Sequence, residues 1–247
     1  MNRTVLVAAV AALLLAVMLV NAPARLVGFL LPENQVRAAG FEGSLWRGSA
    51  ARVAVAVPGG WLNLGRVRWE VSRRALLLLR LRLAIDAEWG AQRATGFVIL
   101  ASGNRLGLRD FSLRADAALA RQFVPIALDG VLQGTFAHVD IEDAMPQEVQ
   151  GSLYWRRAAW LAPRGRKPLG DYALALQQGR GDPLQGSVST RSGPVLADGE
   201  LSLTGRSYAI DLAIGSQGAM DPGLQQALSL MAEPVSTGYR LRLSGDL

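Results

Sequence analysis

The chain holds a single histidine, in Phe136-Ala137-His138-Val139-Asp140-Ile141-Glu142, where period-two spacing puts His138, Asp140 and Glu142 on one face of a strand. An imidazole beside carboxylates can relay protons or ligate a metal. One histidine with alternating carboxylates lacks the paired-ligand spacing of a zinc site, so a solvated strand face is the favoured reading. Asp140, Glu142 and Asp143 carry charge suited to a hard cation such as calcium, but no EF-hand loop surrounds them. No Gly-x-Ser-x-Gly elbow accompanies the histidine, and no glycine-rich phosphate loop with lysine is present. Gly179-Arg180-Gly181-Asp182 is too short for a dinucleotide fingerprint and reads as a glycine-rich turn. The absence of cysteine removes thiolate nucleophiles, disulfides and thiolate metal sites. The expectation is a protein that is not an enzyme, with no catalytic residue, no metal and no cofactor.

The elements that carry these residues are strands. Leu79, Leu81, Leu83 and Ile85 alternate with Arg80, Arg82 and Asp86; Val67, Trp69 and Val71 with Arg66, Arg68 and Glu70; Tyr208, Ile210, Leu212 and Ile214 with Ala209, Asp211 and Ala213; Tyr239, Leu241 and Leu243 with Arg240, Arg242 and Ser244. Such alternation describes a sheet with one apolar and one wet face. A Gly-x-Leu repeat closed by a second glycine recurs in Gly43-Ser44-Leu45-Trp46-Arg47-Gly48, Gly130 to Gly134 and Gly199 to Gly205, and Gly151-Ser152-Leu153-Tyr154-Trp155 opens the same way. Glycine at such places marks bends or close backbone approach, so the strands are expected to curve together into a largely antiparallel groove or half-pipe. Trp46, Trp69 and Trp155 fall in strand patterns and read as core; a buried Trp46 replaced by alanine would cost about 3 to 5 kcal/mol. Helix is scarce: Asp221-Pro222 is a cap-and-start pair before Leu224, Ala227, Leu228 and Met231, and a shorter helix fits 115–121.

The N-terminal segment is of another kind. Thr4 to Ala24 carries no charge between Arg3 and Arg25, and Val5 to Val20 is a nearly unbroken apolar run. That length suits a membrane anchor. A cleaved secretory signal is the rival reading, because Ala22-Pro23-Ala24 has a small-x-small form, although the run is long for a signal and a proline inside the triplet is awkward for a peptidase. Both readings export the body, and Arg3 favours a short cytoplasmic tail. The expected divisions are a tail over 1–3, a transmembrane helix over 4–24, a juxtamembrane linker over 25–40 and one periplasmic β domain over 41–247. Net charge is +6, with Lys167 the sole lysine; an exported body with scattered arginines argues against nucleic acid and suits an anionic membrane surface.

In order along the chain, Gly43, Leu45, Trp46 and Gly48, then Trp61-Leu62, Trp69, Gly151 and Trp155, Gly170 and Tyr172, Gly199, Leu201, Gly205, Tyr208, and the terminal Gly238 and Tyr239 resemble general secretion pathway protein N, the N component of the bacterial type II secretion system. A looser similarity links the pattern to AsmA-like envelope proteins. The first resemblance implies a single-pass inner-membrane protein with its bulk in the periplasm, non-catalytic, working with other secretion subunits in the export of folded proteins across the outer membrane. The second implies a lipid-binding β-groove. An outer-membrane barrel after signal cleavage is a third reading of the alternating strands.

Overall fold

The N-terminal helix α1 spans Arg3–Val20, and its described side chains are all exposed, Val7 at 67%. Its end is written locally: the main-chain and side-chain amides of Asn21 both donate to Val17 O, at 3.1 and 2.8 Å, and Pro23 disfavours helical conformation at Ala22. The helix therefore stops at Val20 rather than at Ala24. At about 1.5 Å per residue it is about 27 Å long, against a hydrocarbon core of about 30 Å. No helix among the described residues is long and apolar enough to cross a membrane.

The computed structural model describes residues 3–32, 34–57, 60–72, 81–101, 105–122, 127–143, 145–162 and 165–246. Leu79 and Arg80 of one expected strand, and the first two residues of the expected tail, lie outside them. The chain forms two compact units, Met1–Gly90 and Ala91–Leu247, with the boundary inside the stretch expected to be one domain. The expected linker is itself structured, holding the short helix α2, Arg25–Leu30, and the start of β1 at Val36.

The first unit continues with four antiparallel strands in chain order: β1, Val36–Gly43; β2, Arg47–Val57; β3, Gly60–Val71; and β4, Leu81–Trp89. Ala24, Ala50, Trp69 and Val71 are buried together, with Val27, Phe41, Trp46 and Leu83 packed against them. Alternate residues form the wet face, where Arg47 pairs with Glu70, and Arg68 lies 3.5 Å from Glu88 and 3.9 Å from Asp86.

The second unit is also antiparallel, built from β5, Gln92–Ala101; β6, Arg105–Asp116; a 3-10 turn, Ala117–Gln122; β7, Leu128–Glu142; β8, Met145–Ala162; β9, Gly165–Gln178; β10, Leu184–Ser192; β11, Val195–Thr204; β12, Ser207–Ser216; helix α3, Pro222–Ser229; β13, Glu233–Val235; and β14, Gly238–Asp246. Strands follow chain order until β14, which lies between β12 and β13. Register stacks Leu201 on Ile210, Ile210 on Leu243 and Leu212 on Leu241, so the alternation seen in sequence becomes an apolar face. Among the described residues no large side chain is fully buried, and Leu243 is 39% exposed. That face is only partly covered.

Carboxylates hold the irregular points of this unit. Arg157 takes a positive φ of 49° where the β8–β9 register shifts; its amide donates to Asp171 Oδ1 at 2.6 Å, and Ser192 Oγ donates to Oδ2 at 3.0 Å. Gly170, at φ 143°, lets β9 close on the end of β10, since a side chain there would strike Ser192 O. Asp129 binds Arg166, and Asp211 accepts two bonds of 2.7 Å from Arg240. These bonds lower all three carboxyls below their ordinary 3.8, chiefly through the Arg157 amide at Asp171, Arg166 at Asp129 and Arg240 at Asp211. A depressed folded value contributes stability present above the unfolded value and lost as pH falls through the folded one. Urea unfolding midpoints should therefore fall modestly as pH drops below the ordinary carboxylate value of about 4. Asp171→Asn should weaken that dependence.

Candidate functional site: a docked N-terminal corner and an apolar cleft

The first group of expected motif residues converges on the turn between β1 and β2. Gly43 closes the turn at φ 86°, opposite Gly48, and a side chain at Gly43 would meet Arg47 O at 2.6 Å. Gly48 must be small for another reason: a Cβ there would lie 2.7 Å from the Trp69 ring. The Trp69 indole donates to Leu45 O at 3.0 Å, and the Val71 amide donates to Trp46 O at 2.7 Å, so β3 fixes the turn from below.

The other side of this turn receives the N-terminal segment. The amide of Ala24 donates to Gly43 O at 3.1 Å, and that of Leu45 to Ala22 O at 2.8 Å, with Pro23 bridged to Ser44 as in a short antiparallel strand. Ala22 and Ala24 are 4% and 1% exposed. Trp46 completes the arrangement by donating its indole N–H to Leu19 O, at 2.8 Å, a carbonyl at the end of α1 that also accepts from the Ala22 amide at 3.3 Å. The Ala22-Pro23-Ala24 triplet, which reads as cleavage-like in the sequence, is built into the folded body. Nothing in its three small residues signals this, because the partners lie in a turn some twenty residues on.

The second group assembles on the apolar face. Trp155 and Tyr172 are register partners with ring centroids 5.8 Å apart. Around them Leu132, Leu153, Leu174, Val188, Leu212 and Leu228 line a cleft of about 360 Å³ beneath α3. Both polar side-chain atoms in the lining are engaged: Trp155 Nε1 donates to Asp129 O at 3.1 Å, and Tyr172 Oη lies 3.1 Å from Leu169 O and 2.9 Å from Val195 O. Burial, then the charges of Asp171 and Asp198, push the Tyr172 phenol up to about 12, which keeps it protonated as a donor. Strand alternation marks Leu212 in advance, and the spacing of Leu224 and Leu228 marks α3; that they enclose a space follows only from the fold.

The remaining motif residues do not join either group. Gly151 lies against the Phe136 ring; Gly199 is crossed closely by the Asp211 carbonyl; Leu201 lies over Gly186; Gly205 is in the β11–β12 turn; Tyr208 lies beside Gly245; and Gly238 and Tyr239 open β14 against Ile214. His138 lies 3.3 Å from Glu148, which also approaches Arg180 at 3.8 Å, while Asp140 and Glu142 meet Arg109 and Arg105. The carboxylates flanking the histidine are thus held by arginines. No group of three His, Cys, Asp or Glu residues suited to a metal occurs among the described residues.

An antiparallel β body joined through a glycine–tryptophan corner to an apolar helix is the class of protein these features define. The sequence model of type II secretion system protein N matches residues 34–242, and the chain belongs to that family. It is similar to the type II secretion system protein N of Aeromonas hydrophila, 29% identical over the whole of both chains. It also resembles that of Vibrio cholerae serotype O1, 31% identical over 57% of this chain and 56% of the relative. No solved structure matches.

Trp46 is half-buried, so its removal should cost less than a fully enclosed ring. Trp46→Ala is expected to destabilise the full chain by about 2 kcal/mol. Trp46→Phe, which keeps the packing and loses the bond to Leu19 O, should cost about 1 kcal/mol. Urea unfolding midpoints measure both.

Proposed function

We propose that this chain is a non-catalytic, inner-membrane-anchored component of the type II secretion system, with α1, the described part of the expected span 4–24 that lies outside the folded body, holding it to the membrane and the β body on the periplasmic side engaging other subunits of the apparatus. The observation that carries this reading is the docking of the N-terminal segment: an exposed apolar helix continues, through Ala22 and Ala24, directly into the hydrogen bonding of the first hairpin. Since α1 is about 3 Å short of the hydrocarbon core, anchoring by it calls for local thinning of the bilayer or snorkelling of its flanks, at a fraction of a kcal/mol per Å. Arg3, in the first turn of the helix, suits the headgroup region on the cytoplasmic side. The non-catalytic part of the reading draws support from the arginine pairing of the carboxylates around His138.

Partner binding has a candidate place in the second unit. β13 covers β14 only over Gly238–Arg240, so among the described residues the outer edge of Leu241–Asp246 has no strand of this unit beside it. An open edge accepts an added strand from a partner. The groove-like curvature belongs to the same proposal, supported by register shifts in β6 to β10 that bend strands locally.

Deletion of the gene should lower secretion of type II substrates and raise their periplasmic pools. The full chain should stay in the membrane pellet after alkaline carbonate washing, whereas a chain lacking residues 3–20 should be released. Normal secretion in the deletion strain would overturn the secretion role, and release of the full chain would overturn the anchor.

A further inference from the structure

α3 is fixed at its start by a cap and is followed within four residues by β13, which pairs with β14. Asp221 caps it by accepting from the amides of Gly223 and Leu224, at 3.0 and 3.3 Å, and binds Lys167 at 2.9 Å. Beyond that cap the helix carries no buried residue, and Leu230 and Met231, just past its end, are 83% and 55% exposed. Leu224 and Leu228 are half-buried on the side of the helix that faces the sheet, and with the strand side chains they line the cleft of about 360 Å³.

The lining decides what suits that space. Its two polar side-chain atoms, on Trp155 and Tyr172, are already bonded to backbone carbonyls, so a polar ligand would lose its water contacts with nothing in exchange. An extended peptide brings the same penalty at every residue, because the cleft lies on a sheet face, away from any strand edge. A partner helix is too wide: the volume holds less than one turn of a cylinder about 10 Å across. An unbranched hydrocarbon meets both limits. At the roughly 30 Å³ occupied by a water-sized group, the cleft accepts about a dozen methylenes.

We propose that the cleft beneath α3 holds one acyl chain of a membrane phospholipid, with α3 as the cover over it. The proposal rests on the membrane reading above only for its supply of lipid, and the test separates the two.

The full chain, reconstituted in phosphatidylethanolamine–phosphatidylglycerol vesicles that contain a phospholipid with a diazirine at one acyl terminus, is irradiated and its labelled residues are mapped by mass spectrometry. Label is expected on the lining of β9 to β12 and on α3, in addition to label within residues 3–24, which reports membrane attachment separately. Val188→Trp and Leu212→Trp fill the cleft and should each lower the lining label about tenfold while leaving the N-terminal label unchanged. Leu212→Ala, which enlarges the cleft, should retain it. Label confined to residues 3–24 in the unsubstituted chain overturns the proposal, as does lining label that both tryptophan variants keep at full strength. If a tryptophan variant fails to fold, the mapping of the unsubstituted chain and of Leu212→Ala decides.

Discussion

The Trp69 ring lying across Gly48 is the contact on which the first unit depends. Only glycine at 48 leaves the ring room, and only with the ring in place can its indole reach Leu45 O and hold the β1–β2 turn open to Ala22 and Ala24. The turn then presents Trp46 to Leu19 O. One small residue thus sets a chain of consequences that runs from the sheet to the end of α1. The buried pair of alanines extends it, since their burial at 4% and 1% leaves no room for a larger side chain without displacing the corner.

The second unit applies the same economy of small beside large across its strands. Gly151 leaves room for the Phe136 ring, Gly186 for Leu201 and Gly245 for Tyr208. Each glycine lets a neighbouring strand's large side chain lie over the backbone. The outcome is a wide apolar face with modest cover, in which α3 closes one area and leaves a cleft. The wet face carries the ion pairs of Arg240 and Arg242 with Asp211, on the side that solvent reaches.

Much of the strand content was legible from alternation alone. Tyr208 to Ile214 and Tyr239 to Leu243 pair in the register that their apolar residues demand, and Asp221-Pro222 starts α3 as cap and first turn. The fate of residues 21–24 was not legible, because Ala22-Pro23-Ala24 has no periodicity and its hydrogen-bond partners are supplied by a distant turn. The β8 irregularity at Arg157 was hidden for a similar reason: Asp171 and Ser192, which fix it, come from two other strands. Composition separated apolar from wet faces well, yet whether the apolar face is sealed depends on where α3 rests, which no local pattern encodes.

Membership of the type II secretion system protein N family gives these features a setting, and the corner joins the end of α1 to the strands of the first unit through backbone hydrogen bonds rather than through a slack linker. The most direct measurement of that claim is residue-resolved amide hydrogen exchange on the full chain. The amides of Ala24 and Leu45, which bond across the corner, should exchange as slowly as that of Val71, which bonds from β3 to Trp46 O. Exchange at Ala24 and Leu45 as fast as at the exposed Gly181 turn would contradict the account, because the N-terminal segment would then be free of the body.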